Sequence, residues 1–184
     1  IDDVRVSDVV RSAAWIKFAY YNMGGAADNE IAAGNETAGD PFTQGWGYRK
    51  TITISATNVD ADLANFPFYV NVSADSDVGN VCKTDGTDIM FTASDATTPL
   101  PFERESFSLS GGAATANYWV KVPFIDATNG ATIYMYYGKH DAADGENATE
   151  VWDDNYVSVW HLQETPPSAA VGDSTSNANT GSTF

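Results

Sequence analysis

Over residues 46–150 the hydrophobic and polar positions alternate with a period of two, the period of a β-strand that buries one face. In YRKTITISA (48–56) Ile52 and Ile54 share one face, and Thr51 and Thr53 the other. FPFYVNVSA (66–74) turns Phe66, Phe68, Val70 and Val72 to one side. TDIMFTA (87–93) is a short strand. PLPFERESFSL (99–109) carries Phe102 and Arg104 on one face and Glu103, Glu105 and Phe107 on the other. ANYWVKVPF (116–124) groups Tyr118, Val120 and Val122. ATIYMYYG (131–138) sets Ile133, Met135 and Tyr137 against Tyr134 and Tyr136. Between these runs stand turn formers: NVDADLAN, ADSDVGN, TDGTD, LSGGAAT and DATNG. Six strands at this spacing, without a long helical period, predict an all-β fold, an antiparallel, jelly-roll-like β-sandwich.

The flanks read differently. Residues 1–10 alternate like a short strand, with Val4 and Val6 on one face. RSAAWIKFAYYN (11–22) fits a short helix capped by Ser12 and fits a second strand equally well. Residues 23–45 are rich in Gly, Ala and Asn and lack periodicity, which marks a linker and a domain boundary. VWDDNYVSVWHLQ (151–163) is a further strand, apolar on both parities around Val157 and Val159. The tail, 165–184, is polar and rich in turn formers, and composition alone makes it a loop.

Charge narrows the choice of partners. Nine Lys and Arg stand against 25 Asp and Glu, a formal charge of −16. Such a surface repels phosphate backbones, so no nucleic acid is expected. No apolar run approaches the roughly 20 residues of a membrane helix, so no membrane insertion is expected either. The five Trp, nine Tyr and nine Phe argue for a packed core. Cys82 is the single cysteine, which excludes an internal disulfide and a cysteine-based zinc site. The sequons at Asn35, Asn71 and Asn147 are expected by chance in a chain so rich in Asn and Thr. Ile1 begins in mid-pattern, with no basic start, so the chain reads as an excerpt of a longer precursor.

The blocks GWGYRKTITIS, FPFYVNVS, TDGTDIMFTASDATTPLPFERESF and YWVKVPFIDATNGATIYMYYG, in this order and spacing, resemble the bacterial domain-of-unknown-function family numbered 2341. The resemblance runs from about Trp46 to Trp152 and implies a module of a large secreted or surface protein with no settled biochemical role. The ends are similar to another family. IDDVRVSDVVRSAAWIKFAYYN resembles the last strand and closing segment of laminin-G-like, concanavalin-A-like lectin/glucanase domains. VWHLQE followed by DSTSNANTGS resembles the opening of the same fold. The organisation implied is a closing segment (1–22), a linker (23–45), the sandwich (46–152) and an opening segment (153–184). In that family oxygen ligands near this turn and near the last strand hold calcium. The resemblance therefore nominates Asp173, Asn177 and Asn179, with Asp2 and Asp3 from the other end, as calcium ligands.

Enzymatic chemistry finds little support. Concanavalin-like glycosidases carry Glu-X-Asp-X-X-Glu on one strand, and Glu103-Arg104-Glu105 is not that pattern. Strand spacing puts both carboxylates on one face, roughly 7 Å apart, but an isolated charge pair is more often solvated or paired with Arg104 and nearby Lys. Neither His140 nor His161 stands near a nucleophile elbow, and no Gly-rich phosphate loop is present. The acidic turns Asp75–Asp77 and Asp85–Asp88 offer oxygen ligands but lack the EF-hand pattern. For glycan binding the candidate platform is Trp46, Trp119, Tyr134 and Tyr136, with Trp119 pointing away from the core row of Tyr118, Val120 and Val122; packing under a loop or a neighbouring domain is the plainer role for Trp119. The expectation is a non-enzymatic extracellular module that binds glycans or adheres. The alternative is a repeat unit of a fibre, a homopolymer in which neighbouring copies exchange strands.

Overall fold

A computed structural model of the chain describes residues 3–24, 45–164 and 170–182. The elements in chain order are β1 (Val4–Ser7), α1 (Ala13–Met23), β2 (Tyr48–Ile54), β3 (Leu63–Asp75), α2 (Ser76–Gly79), β4 (Ile89–Thr92), β5 (Pro99–Leu100), β6 (Phe102–Ser110), β7 (Ala113–Ile125), β8 (Ala131–Tyr137), α3 (Ala148–Val151) and β9 (Tyr156–Trp160). The fold is an all-β sandwich. A four-stranded sheet, ordered β2-β8-β4-β5, faces a three-stranded sheet, ordered β3-β7-β6. All of these neighbours pair antiparallel. The alternating rows close the core as periodicity predicts. Ile52, Ile54, Phe91, Ile133, Met135 and Tyr137 come from the first sheet, and Phe66, Phe68, Val70, Val72, Tyr118, Val120 and Val122 from the second. Phe91 bridges the sheets, with its ring 5.3 Å from both Phe102 and Tyr118.

Two register shifts break the period of two. In β6 the pairing with β7 slips between Arg104 and Ser106, so Glu105 is extra. The slip moves Phe107 and Leu109 onto the core side, where both pack against the sandwich. Strict alternation had put Phe107 beside the glutamates. In β3 the pairing slips between Val72 and Asp75.

Residues 11–22, open between helix and strand, contain a helix. Ser12 caps it, its hydroxyl accepting the Trp15 N–H at 3.1 Å. Phe18, fully buried, meets the Phe66 ring at 5.0 Å and Phe68 at 6.2 Å. The helix thereby lies along β3, an edge strand whose outward backbone groups would otherwise lack partners. Asn22, buried at the helix end, supplies them: its Oδ1 accepts the Tyr69 N–H at 2.6 Å and its Nδ2 donates to the Tyr69 carbonyl at 3.1 Å. Pro67, which has no N–H to offer, occupies the same edge strand. Asn22→Leu is expected to cost about 1–3 kcal/mol, read as a lower urea midpoint. An unchanged midpoint removes Asn22 as an edge cap.

Strands β1 and β9 form a separate antiparallel pair, Val4 opposite Trp160, Arg5 opposite Val159 and Val6 opposite Ser158. This pair packs on the outer face of the three-stranded sheet as a third layer. Its own small core joins Trp119, Val151, Trp152, Tyr156 and Val159, with Tyr69 against them. The tail is not a free loop. The Ser174 N–H donates to the Val159 carbonyl at 2.9 Å, and Val171 and Gly181 form an antiparallel bridge.

Candidate functional site

The residues with the most chemistry meet where the third layer rests on the sandwich. From β6, Glu103 and Glu105 point outward on the face that strand parity gives them both, and Glu105 is the extra residue at the register slip. From β7 comes Trp119, from the segment after α3 Trp152, from β1 Arg5, and from the end of β9 His161. Asp3 precedes β1.

Glu103 is 6% exposed and accepts three side-chain donors: Trp152 Nε1 at 2.7 Å, His161 Nε2 at 3.1 Å and Ser174 Oγ at 2.5 Å. Glu105 accepts the Trp119 Nε1 at 2.7 Å and the Gln163 amide at 3.1 Å. The other His161 nitrogen, Nδ1, lies 3.5 Å from Asp3 Oδ1 and 3.8 Å from Glu105 Oε2, ion contacts rather than hydrogen bonds. The imidazole stacks on Trp119 with centroids 5.9 Å apart. The Arg5 guanidinium covers the other ring partners, 4.0 Å from the Trp119 centroid and 5.0 Å from Trp152.

The electrostatics follow from this crowding. Burial works against the charged imidazole, but the carboxylates of Asp3 and Glu103, with Glu105 behind them, outweigh it and push His161 up to about 9. Burial pushes the Glu105 carboxyl up, and His161 and the Trp119 N–H offset only part of that. For Asp3 burial is outweighed by His161 and Arg5, which hold its carboxyl below the ordinary value. The glutamates are thus neither solvated nor paired with Arg104. That arginine turns to Asp144 at 2.7 Å and Glu146 at 3.1 Å instead.

Three of the four aromatics expected to form a glycan platform are buried. Trp119 is 2% exposed, Tyr136 1% and Trp46 9%. Tyr134 is half-buried, with the Arg49 guanidinium 4.5 Å above its ring. The parity that turned Trp119 away from the core was right, but the third layer covers it.

The nominated calcium ligands fall into two groups with different partners. Asp173 accepts the N–H groups of Val159 at 2.9 Å, Thr175 at 3.0 Å and Asn179 at 2.8 Å, and the Thr175 hydroxyl at 2.9 Å. Burial would raise its carboxyl, and these donors outweigh that and lower it. Asn177 donates its amide to the carbonyls of Tyr156 and Val157, and Asn179 to that of Val157. The turn therefore closes the free edge of β9. Asp3 faces Arg5 and His161, and Asp2 lies outside the described residues. Among the described residues no three His, Cys, Asp or Glu side chains converge as a metal group. The acidic turns are used locally: Asp85 accepts Thr87 and Asp88 accepts the Lys83 N–H, while Asp75 and Asp77 face Lys50.

A pocket of about 200 Å³, lined by Asp3, Met23, Tyr69, Glu105 and Trp119, opens beside the seam. Sequence reading passed over Arg5, Trp152, His161 and Ser174 as members of one cluster. The available signal was Arg5, a charge alternating with the valines of β1 on its inward parity.

No curated protein and no solved structure matches the chain. The resemblance drawn from the strand blocks is met by a family model, over a stretch that starts after β3 and runs on past Trp152 through His161. Residues 85–163 match the family described as Domain of unknown function (DUF2341).

Proposed function

We propose that the chain is a non-enzymatic structural module of a large extracellular protein, in which the sandwich clasps two lectin-like strand segments side by side. The observation that carries this reading is the β1–β9 pair, sealed to the sandwich by the Glu103–His161–Trp119 cluster. A first and a last strand of a lectin-like sandwich, held together this way, give a joint with fixed geometry. Glycan adhesion has less support, because three of its four nominated aromatics are buried.

The rival reading, strand exchange between copies, uses the same pair of strands. A cysteine pair separates the two. Val6 and Ser158 stand directly opposite each other, and opposed positions have Cβ atoms about 4.5–5.5 Å apart. In a Cys82→Ala background, Val6→Cys with Ser158→Cys is expected to oxidise within one chain and run as a monomer on a denaturing, non-reducing gel at every protein concentration. Disulfide-linked dimers that increase with concentration overturn the clasp in favour of exchange.

A further inference from the structure

Lys50 stands in a row where a lysine is out of place. On β2 it shares the core face with Ile52 and Ile54, and it is 2% exposed. Its Nζ lies 2.6 Å from Oδ2 of Asp75 and 3.2 Å from Oδ2 of Asp77. Asp75 reaches this place against the parity of its own strand. The core row of β3 is Phe66, Phe68, Val70 and Val72, all even positions. The register slip after Val72, with Ala74 at φ 48°, brings an odd position round to Lys50. A left-handed non-glycine residue inside a bulge is an unfavourable conformation that re-aims a side chain. The next turn, α2, is pressed onto the β6–β7 hairpin: a Cβ at Gly79 would stand 2.4 Å from the Gly112 carbonyl oxygen, so only glycine fits. That turn aims two backbone donors at Asp75. Its Oδ1 accepts the N–H groups of Asp77 and Val78, each at 3.0 Å.

We propose that Lys50 and Asp75 condense spontaneously into an intramolecular isopeptide bond that cross-links β2 to β3. The Lys50 ammonium first passes one proton to Oδ2 of Asp75, 2.6 Å away, and the neutral amine then attacks Cγ of the resulting carboxylic acid and forms the C–N bond. The negative charge of the tetrahedral intermediate falls on Oδ1, which already faces two N–H donors, the arrangement that stabilises an oxyanion. Asp77 takes the proton released by Nζ and passes it to Oδ2, which leaves as the C–O bond breaks. An ammonium and a carboxylate become one amide and one water. Nothing is oxidised or reduced and no co-reactant is required. The catalytic carboxylate is the exposed member of the trio, with half its side chain in solvent, so water has a way out.

Two physical terms favour the product. Holding amine and carboxyl in contact is equivalent to an effective concentration of about 10⁵–10⁸ M for a well-oriented pair. The reaction also replaces a buried ion pair, whose desolvation is costly, by a neutral amide. The bond would join an edge strand of the four-stranded sheet to an edge strand of the three-stranded one. Force pulling the two sheets apart would then act on a covalent bond, as suits a load-bearing module.

Intact-mass measurement of the denatured full chain tests this directly. The expected mass is the sequence mass less one water. Proteolysis is expected to release one branched peptide joining the segments that hold Lys50 and Asp75. The full sequence mass overturns the proposal. So does a loss of water that persists in Lys50→Arg, because succinimide formation at Asp85–Gly86 or Asp144–Gly145 would account for it. Asp77→Asn is expected to leave most of the chain uncondensed, and complete condensation in that variant removes Asp77 from the chemistry. Wild-type mass and peptide mapping decide the central claim even if the variants fold poorly.

Discussion

Glu103→Ala is expected to detach the third layer from the sandwich and to cost about 3–5 kcal/mol, the range for removing one partner of a buried charged cluster. The glutamate is 6% exposed and accepts from Trp152, His161 and Ser174 at once. Its loss strands an indole N–H, a hydroxyl and an imidazolium in a dry seam. Each belongs to a different segment: the stretch after α3, the end of β9 and the tail. The layer therefore loses three attachments together. The sandwich core lies on the other side of the three-stranded sheet and does not touch this seam. Urea unfolding followed by Trp fluorescence is expected to show an early transition with a red shift, as Trp119 and Trp152 reach water, followed by the main transition of the sandwich. A single transition at the wild-type midpoint would show that Glu103 is not what seals the seam.

The second large effect is a loss of stability in mild alkali. His161 is raised in the folded chain from its ordinary 6.5 to about 9, against burial, by Asp3, Glu103 and Glu105. A group raised on folding contributes stability that is fully present below its unfolded value and is lost as pH rises through the folded one. The window is thus pH 6.5 to about 9, and the contribution at stake is about 3 kcal/mol, taking 1.36 kcal/mol for each unit. The acid side has the opposite sign. Asp153 is lowered as Arg11 outweighs burial, and Asp173 as its backbone donors do. Their contribution is present above the ordinary 3.8 and is lost as pH falls through their folded values. Stability is expected to be greatest between these limits. Urea midpoints from pH 2 to 10 check this, and His161→Gln is expected to flatten the alkaline limb. A wild-type midpoint that stays constant from pH 6.5 to 9 would show that the imidazolium adds nothing.

How much of this was legible in the residues differs from one element to the next. The core rows of β2, β3, β7 and β8 were readable because alternation is local: each strand states which of its faces is apolar before it has a partner. The same rule misplaced Phe107, since one extra residue in β6 reverses parity and the slip exists only against β7. It also left Lys50 unremarked, although its parity already placed it with Ile52 and Ile54. Nothing local foretells that Asp75, on the wrong parity, would be turned to meet it. Residues 11–22 stayed undecided between helix and strand until packing settled the matter, with Phe18 seated on Phe66 and Asn22 on the edge of β3.

By itself the chain determined an acidic, all-β sandwich and the identity of its core rows, because burial of alternate side chains is written strand by strand. Only the tertiary structure decided what the outer face does. Trp119 was correctly turned away from the core, and whether it met solvent depended on β1 and β9, one near the start of the chain and the other beyond the sandwich strands. Their meeting covered Trp119 with a layer of charge and aromatic rings. Contacts between segments so far apart leave no periodic trace in either one, since each is an ordinary short strand until the other is beside it.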